Sequence, residues 1–212
     1  MRHVKFTQLK GGDDESFRFM LKHDTQYASQ VGERLIELLS QLENSFSAFQ
    51  VTRLEHILQT ATRAWYDGAD YDWIATALLH DIGDMHAPFN HGDYAATIME
   101  PFVREQCTWT TRVHADFQAF YFPNNVGIDN QARNKYLGHI YFEDCKEFCD
   151  RWDQLSFDPA YNSLPMSVFE PIILEVFARE PFAPDVIQLN TRKSLVCKDQ
   201  ATQRLKQKNK NL

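Results

Sequence analysis

The chain has 212 residues, of which 43% are hydrophobic and 24% charged, and a formal net charge of −7. That length supports one domain with a sizeable core, and two full domains would be cramped. The acidic balance argues against a general nucleic-acid binder, which needs clustered Lys and Arg to neutralise phosphates. No stretch approaches the ~20 apolar residues that span a bilayer, and the N-terminus carries no apolar signal segment. A cytoplasmic location, with no membrane partner, is the expectation.

In chain order the pattern is helical nearly throughout. Residues 24–43 place Val31, Leu35, Leu38, Leu39 and Leu42 on one stripe, which predicts an amphipathic helix with His23-Asp24 at its start. After a polar and aromatic link, Thr52-Arg53-Leu54-Glu55 has the form of a capping box and opens a helix to about 65–66, stopped by Asp67-Gly68. Asp70 or Asp72 caps the next helix, whose run Trp73-Ile74-Ala75-Thr76-Ala77-Leu78-Leu79 predicts burial on most sides. Gly83 is placed to end it in a left-handed cap. Residues 84–90 read as loop. Helical patterns resume over about 91–106, over 109–121 after a Thr108 cap, over 129–137 up to Gly138, and over 140–155 and 166–179. Few segments alternate as strands do, so the expected class is all-α.

Residues 180–212, with Pro181 and Pro184, read as an extended arm over the body. Their basic, polar end (198–212) reads as a solvated terminus that frays. The four cysteines, Cys107, Cys145, Cys149 and Cys197, lack a second pair at zinc-finger spacing, and reduced structural thiols are expected.

Eight histidines are many for this length. The segment Ala75–Asp84 (ATALLHDIGD) delivers His80 and Asp81 together at the end of a buried helix. Burying an imidazole and a carboxylate side by side is costly unless something pairs with them, and a divalent metal does so. His56 lies 24 residues upstream on an amphipathic helix, His91 heads the next helix, His114 sits mid-helix, and Asp153 sits in Arg151-Trp152-Asp153.

These residues resemble the HD superfamily, named for its His…His-Asp…Asp metal motif. The resemblance covers about residues 50–155, and its most specific part is Leu54-Glu55-His56 with Ala77–Asp84. It implies an all-helical bundle, here 1–180 with the metal-binding core at about 50–155, followed by the arm and basic tail at 181–212. The last Asp of the motif maps onto Asp153 in preference to Asp158. His91 and His114 stand at spacings similar to those of dinuclear members. The implied arrangement has one metal on His56, His80 and Asp153, the other on His91 and His114, and Asp81 between them. Four His and two Asp are nitrogen-rich for magnesium or calcium and suit iron, manganese or zinc.

Two chemistries follow from the resemblance. One is that of the mixed-valent diiron oxygenases, among them inositol oxygenase and a phosphonate-cleaving enzyme, which use dioxygen to break a C–C or C–P bond of a small molecule. The alternative is a manganese- or zinc-dependent phosphohydrolase acting on a nucleotide or other phosphate ester. The compact ligand order, with Arg151-Trp152-Asp153 last, leans to the oxygenase. A third possibility is an HD module that binds without turnover.

The same comparison sets two departures. Phe46 and Phe49 stand where the phosphonate enzyme has a Tyr and a Glu over its iron. Asp84 stands where related enzymes carry Lys or His, which disfavours an anionic group and favours a hydroxylated or amino-bearing substrate. Asp84 and His86 are the candidate catalytic or substrate-contacting groups. Arg53, Arg63, Arg112 and Arg151 are candidates for an anion contact, and Asp116 is a candidate to orient His114. His3 and His139 are read as structural, and the abundant aromatic rings as core packing.

Overall fold

The computed structural model describes residues 3–45 and 48–210, the last three by backbone alone. Among them every regular element is helical. The helices are α1 (Asp14–Ser29), α2 (Val31–Gln41), α3 (Arg53–Tyr66), α4 (Tyr71–Leu79), α5 (His91–Met99), α6 (Glu105–Gln118), α7 (Phe142–Phe148), α8 (Met166–Phe177), α9 (Pro184–Ile187) and α10 (Lys198–Lys210). Among the described residues no helix is long and apolar enough to cross a membrane.

The apolar run of α4 makes it the central rod. Trp73, Ile74, Ala75, Ala77, Leu78 and Leu79 are all fully buried, with α3, α6 and α8 packed around it. Around this rod, α3 and α4 pair, α5 and α6 pair, and α7 lies along α6. The capping box at the head of α3 forms in full: Thr52 Oγ1 accepts from the Glu55 amide at 3.1 Å, and Glu55 accepts from the Thr52 amide at 2.6 Å. Asp70, not Asp72, caps α4 by accepting from the Trp73 amide.

Several boundaries differ from the sequence pattern. The helix expected over 24–43 is two helices that meet at Gln30, so His23-Asp24 lies inside exposed α1 and opens nothing. The apolar stripe belongs to α2 and the 3-10 turn after it, and Leu35, Leu39 and Leu42 enter the core. Arg34 donates to the Tyr27 carbonyl at 2.8 Å and so satisfies an end group of α1. Helix α6 begins at Glu105, which leaves Thr108 inside it. The start is set by Arg104, whose amide donates to Asp72 Oδ2 at 3.0 Å. Residues 129–137 hold only a 3-10 stretch at Ala132–Tyr136. The pattern over 140–155 begins as α7 and widens into a π-turn at Cys149–Asp153.

The arm beyond 180 is pinned to the body. Gln106 and the Lys193 backbone exchange two hydrogen bonds of 3.0 Å, Arg192 grips Asp144 with two, and Leu195 is buried. The basic tail, expected to fray, forms α10 instead. Arg204 lies over the Trp65 ring and donates to the carbonyls of Trp65, in the last turn of α3, and Ala69, in the link to α4. A cation at a helix C-terminus is favourable there. Cys107, Cys145 and Cys149 are buried and free, and Cys197 is exposed and free.

Arg104 is a buried guanidinium, 2% exposed. It forks onto Asp70 at 2.8 and 3.1 Å and reaches Asp72 at 3.0 Å, while Arg179 holds the other oxygen of Asp72 at 2.6 Å. Removing one partner of such a network leaves buried charge uncompensated. Arg104→Ala should therefore lower stability by about 3–5 kcal/mol, read from urea unfolding. A loss below ~1 kcal/mol would show that the network is peripheral to the fold.

Candidate metal centre

Five segments bring six side chains to one place. His56 comes from the second turn of α3, His80 and Asp81 from the end of α4, His91 from the head of α5, His114 from the middle of α6, and Asp153 from the π-turn. His56, His80, Asp81, His114 and Asp153 are buried, and the His91 side chain is 20% exposed.

The donor atoms fall into two sets with one carboxylate between them. On one side His56 Nε2 lies 3.1 Å from His80 Nε2 and 3.2 Å from Asp153 Oδ1, with Asp81 Oδ2 at 3.5 and 3.6 Å from the two nitrogens. On the other, His91 Nε2 lies 3.2 Å from His114 Nε2, and Asp81 Oδ1 stands 3.5 and 3.3 Å from them. Two groups could thus each hold a metal ion: His56, His80 and Asp81, and Asp81, His91 and His114.

The tautomers test whether the residues fit such ions. Nδ1 of His56 faces the Ser156 carbonyl at 2.9 Å, that of His80 the Ala77 carbonyl at 3.0 Å, and that of His114 the Thr111 carbonyl at 2.7 Å. A carbonyl only accepts, so each Nδ1 carries the proton and each neutral ring turns the Nε2 lone pair inward. His56 and His80 then oppose two lone pairs at 3.1 Å beside two carboxylates. Asp153 Oδ2 is also buried without a hydrogen-bond partner. Gln118 and Arg53 each donate one hydrogen bond to the carboxylates, and the facing Nε2 atoms and Asp153 Oδ2 are left as acceptors that a cation would match. Ligands at ~2.0–2.2 Å from one ion lie roughly 3 Å apart when adjacent, close to the spacing found. The nitrogen-rich set suits a transition metal over magnesium or calcium.

The two carboxylates favour a positive charge beside them, a proton on the imidazoles or a metal ion in its place. Burial pushes His56 and His80 down, but Asp153 and Asp81 outweigh it and leave both imidazoles above their ordinary range. Burial raises Asp81 and Asp153, yet the surrounding imidazoles hold both carboxyls below the usual carboxylate range. His91 is pushed down by burial and by His114. Asp84 is pushed up by burial and by the charge of Asp81.

Local sequence explains the delivery. Gly83 is not a left-handed cap, since its φ is not positive. A Cβ there would stand 2.8 Å from the His91 backbone, so glycine is what lets the head of α5 close onto the end of α4. A Cβ at Gly92 would stand 2.7 Å from the Arg112 carbonyl, which sets α5 against α6 and His91 against His114. Asp67 accepts from Trp152 Nε1 at 2.8 Å and from Arg151, tying the π-turn to the end of α3 and so aiming Asp153 inward.

Other expectations are redistributed. Asp158 is exposed and caps its own turn through the Ala160 amide, so Asp153 is the one that reaches the cluster. Asp84 pairs with Arg53 and faces His91 Nδ1 at 3.6 Å. His86 is exposed and stacked on Tyr94, outside the cluster. Asp116 does not orient His114; it binds Lys135 and Tyr136. Arg63, Arg112 and Arg151 are engaged with the Leu155 carbonyl, Asp93 and Asp67, and only Arg53 stands at the cluster. Phe46 lies outside the described residues. Phe49 packs on Phe157, whose ring stacks on His56 at 4.4 Å.

Gln118 is a residue the sequence reading missed. It donates to Asp153 Oδ1 at 2.9 Å. Its place one turn after His114, on the same helical face, was the available signal.

The fold is all-helical among the described residues, and it brings together two groups of side chains, sharing Asp81, that could each hold a metal ion. No protein-family profile matches the chain. It is 32% identical over 113 residues to inositol oxygenase 1 of Arabidopsis thaliana, a stretch that covers 51% of this chain and 35% of that protein. The chain thus matches about a third of the length of this distant relative.

If both sets hold metal, Asp81→Ala should cost both ions, and His91→Ala or His114→Ala one ion per chain, by elemental analysis of purified protein. Retention of two ions in both histidine variants would remove the second set. Gly83→Ala, which touches no ligand atom, should also lose the ion nearer His91.

Proposed function

We propose that this chain is a dinuclear, HD-type oxygenase that cleaves a C–C or C–P bond of a small, polar, hydroxylated substrate. The observation that carries the reading is the placement of Asp81, with one oxygen toward His56 and His80 and the other toward His91 and His114. The partial likeness to an inositol oxygenase supports the oxygenase over the hydrolase branch. In this reading His56, His80 and Asp153 hold one ion, His91 and His114 the other, and Asp81 bridges them, within a helical unit at 1–180 to which the arm at 181–212 adds.

A mixed-valent Fe(II)/Fe(III) pair, when bound, supplies the activation of dioxygen. The chain's own residues do the rest. The carbonyls of Ser156, Ala77 and Thr111 fix three imidazoles in the tautomer that ligates, and Gln118 holds Asp153 against rotation. Phe157, stacked on His56, screens the deeper set from water. The shallower side, at His91, Asp84 and Arg53, is where a substrate enters, and there Asp84 offers a carboxylate to a hydroxyl or ammonium group. His86 would need its loop to move before it could act.

Protein purified under low oxygen should contain two irons per chain and give a mixed-valent EPR signal. A hydroxylated small molecule such as inositol or a hydroxyalkylphosphonate should perturb that signal and be consumed with dioxygen. Stoichiometric manganese or zinc with turnover of a phosphate ester would overturn the oxygenase in favour of the hydrolase.

A further inference from the structure

Helix α3 carries Arg53 one turn ahead of His56, on the face that meets the cluster. Its Nη1 donates to Asp81 Oδ2 at 3.3 Å, and its Nε lies 2.5 Å from Asp84 Oδ2. The guanidinium sits over the Phe49 ring, 5.7 Å from its centre. The side chains of His56, His80, Asp153 and His114 are at most 1% exposed and Asp81 is 6% exposed. Arg53 is 22%, His91 20% and Asp84 16% exposed. A solute approaching the cluster therefore meets these three side chains first.

The donors of Arg53 are not used up. Its Nε touches Asp84 as an ion pair but makes no directed hydrogen bond, and among the described residues Nη2 has no hydrogen-bond partner. A guanidinium presents five N–H groups in a rigid fork that matches a carboxylate or a phosphonate. Asp84 balances its charge from the buried Nε edge, and Nη2 with the second Nη1 proton is left for a ligand. A cation shared with Asp81 would weaken the remaining hold, since that carboxylate would then face the ion.

We propose that Arg53 anchors an oxyanion of the substrate, a carboxylate or phosphonate, at the mouth of the metal centre, with Asp84 as the counter-ion that the incoming anion displaces. This rests on the two-metal reading above and names the substrate class for it: a small hydroxylated acid. It also changes what Asp84 means. The carboxylate does not repel an anion from the site, because it belongs to an arginine that the anion can take over.

Titration calorimetry of the metal-loaded full chain with methylphosphonate and with acetate tests the anchor, with metal content measured on every sample. The wild type should bind at least one probe saturably, and the stronger of the two tells a phosphonate from a carboxylate. Arg53→Gln should weaken that binding by roughly tenfold or more, the order expected for losing charge-assisted hydrogen bonds. Asp84→Asn should tighten it severalfold by releasing the competing carboxylate.

Unchanged affinity in Arg53→Gln, no binding of either probe by the wild type, or no gain in Asp84→Asn would each overturn the proposal. If Arg53→Gln loses metal, the Asp84→Asn arm decides alone. Anion binding needs no dioxygen, so it stands if the oxygenase reading fails. Dioxygen uptake with an uncharged polyol and no anion binding would instead keep the reaction and remove the anchor.

Discussion

A carboxylate buried among four imidazoles is the interaction on which the rest of this structure turns. Asp81 is 4% exposed, and taking its charge out of water carries a penalty of several kcal/mol unless positive charge is supplied on the spot. His56 and His80 face one of its oxygens and His91 and His114 the other. Three of those rings have their outer nitrogen committed to a carbonyl, so the inner nitrogens are acceptors as well. Acceptors so gathered favour a positive charge among them, and their spacing is one that could hold a metal ion.

The architecture serves this convergence. Helix α4 is so apolar that its position in the centre is fixed by burial, and its last turn carries the His-Asp pair into the core. The helices around it are then constrained in phase, because each must present one side chain at that point. Gly83 and Gly92 permit the close approach of α5, and the π-turn after α7 inserts the extra residue that turns Asp153 inward. π-Turns of this kind occur frequently at functional sites, where one inserted residue rotates the following side chains.

Chemistry and access are separated across the cluster. The His56, His80 and Asp153 side is buried, with Phe157 stacked on His56, whereas His91, Arg53 and Asp84 on the other side are partly exposed. A closed set suits tight, permanent ligation, and an open set suits exchange with a solute.

Much of this was legible in the letters. The all-α class followed from apolar spacing at three and four residues and from few alternating runs. The Thr52–Glu55 capping box, the buried run of α4 and the six converging side chains were also readable, because each rests on local pattern or on residue chemistry. The sequence could not show where partners lie across the fold. Asp84 read alone is a bare carboxylate that repels anions; in the folded chain it is the partner of Arg53, 31 positions away. Asp116 read alone is two residues from His114, yet its side chain meets Lys135 and Tyr136. Gly83 looked like a helix cap and is a close contact, and the basic tail looked solvated and is a docked helix. Residue identity and period set which groups seek burial, charge or a metal. Only tertiary packing decided which of them meet, because an ion pair or a backbone approach depends on distance in space and not on separation along the chain.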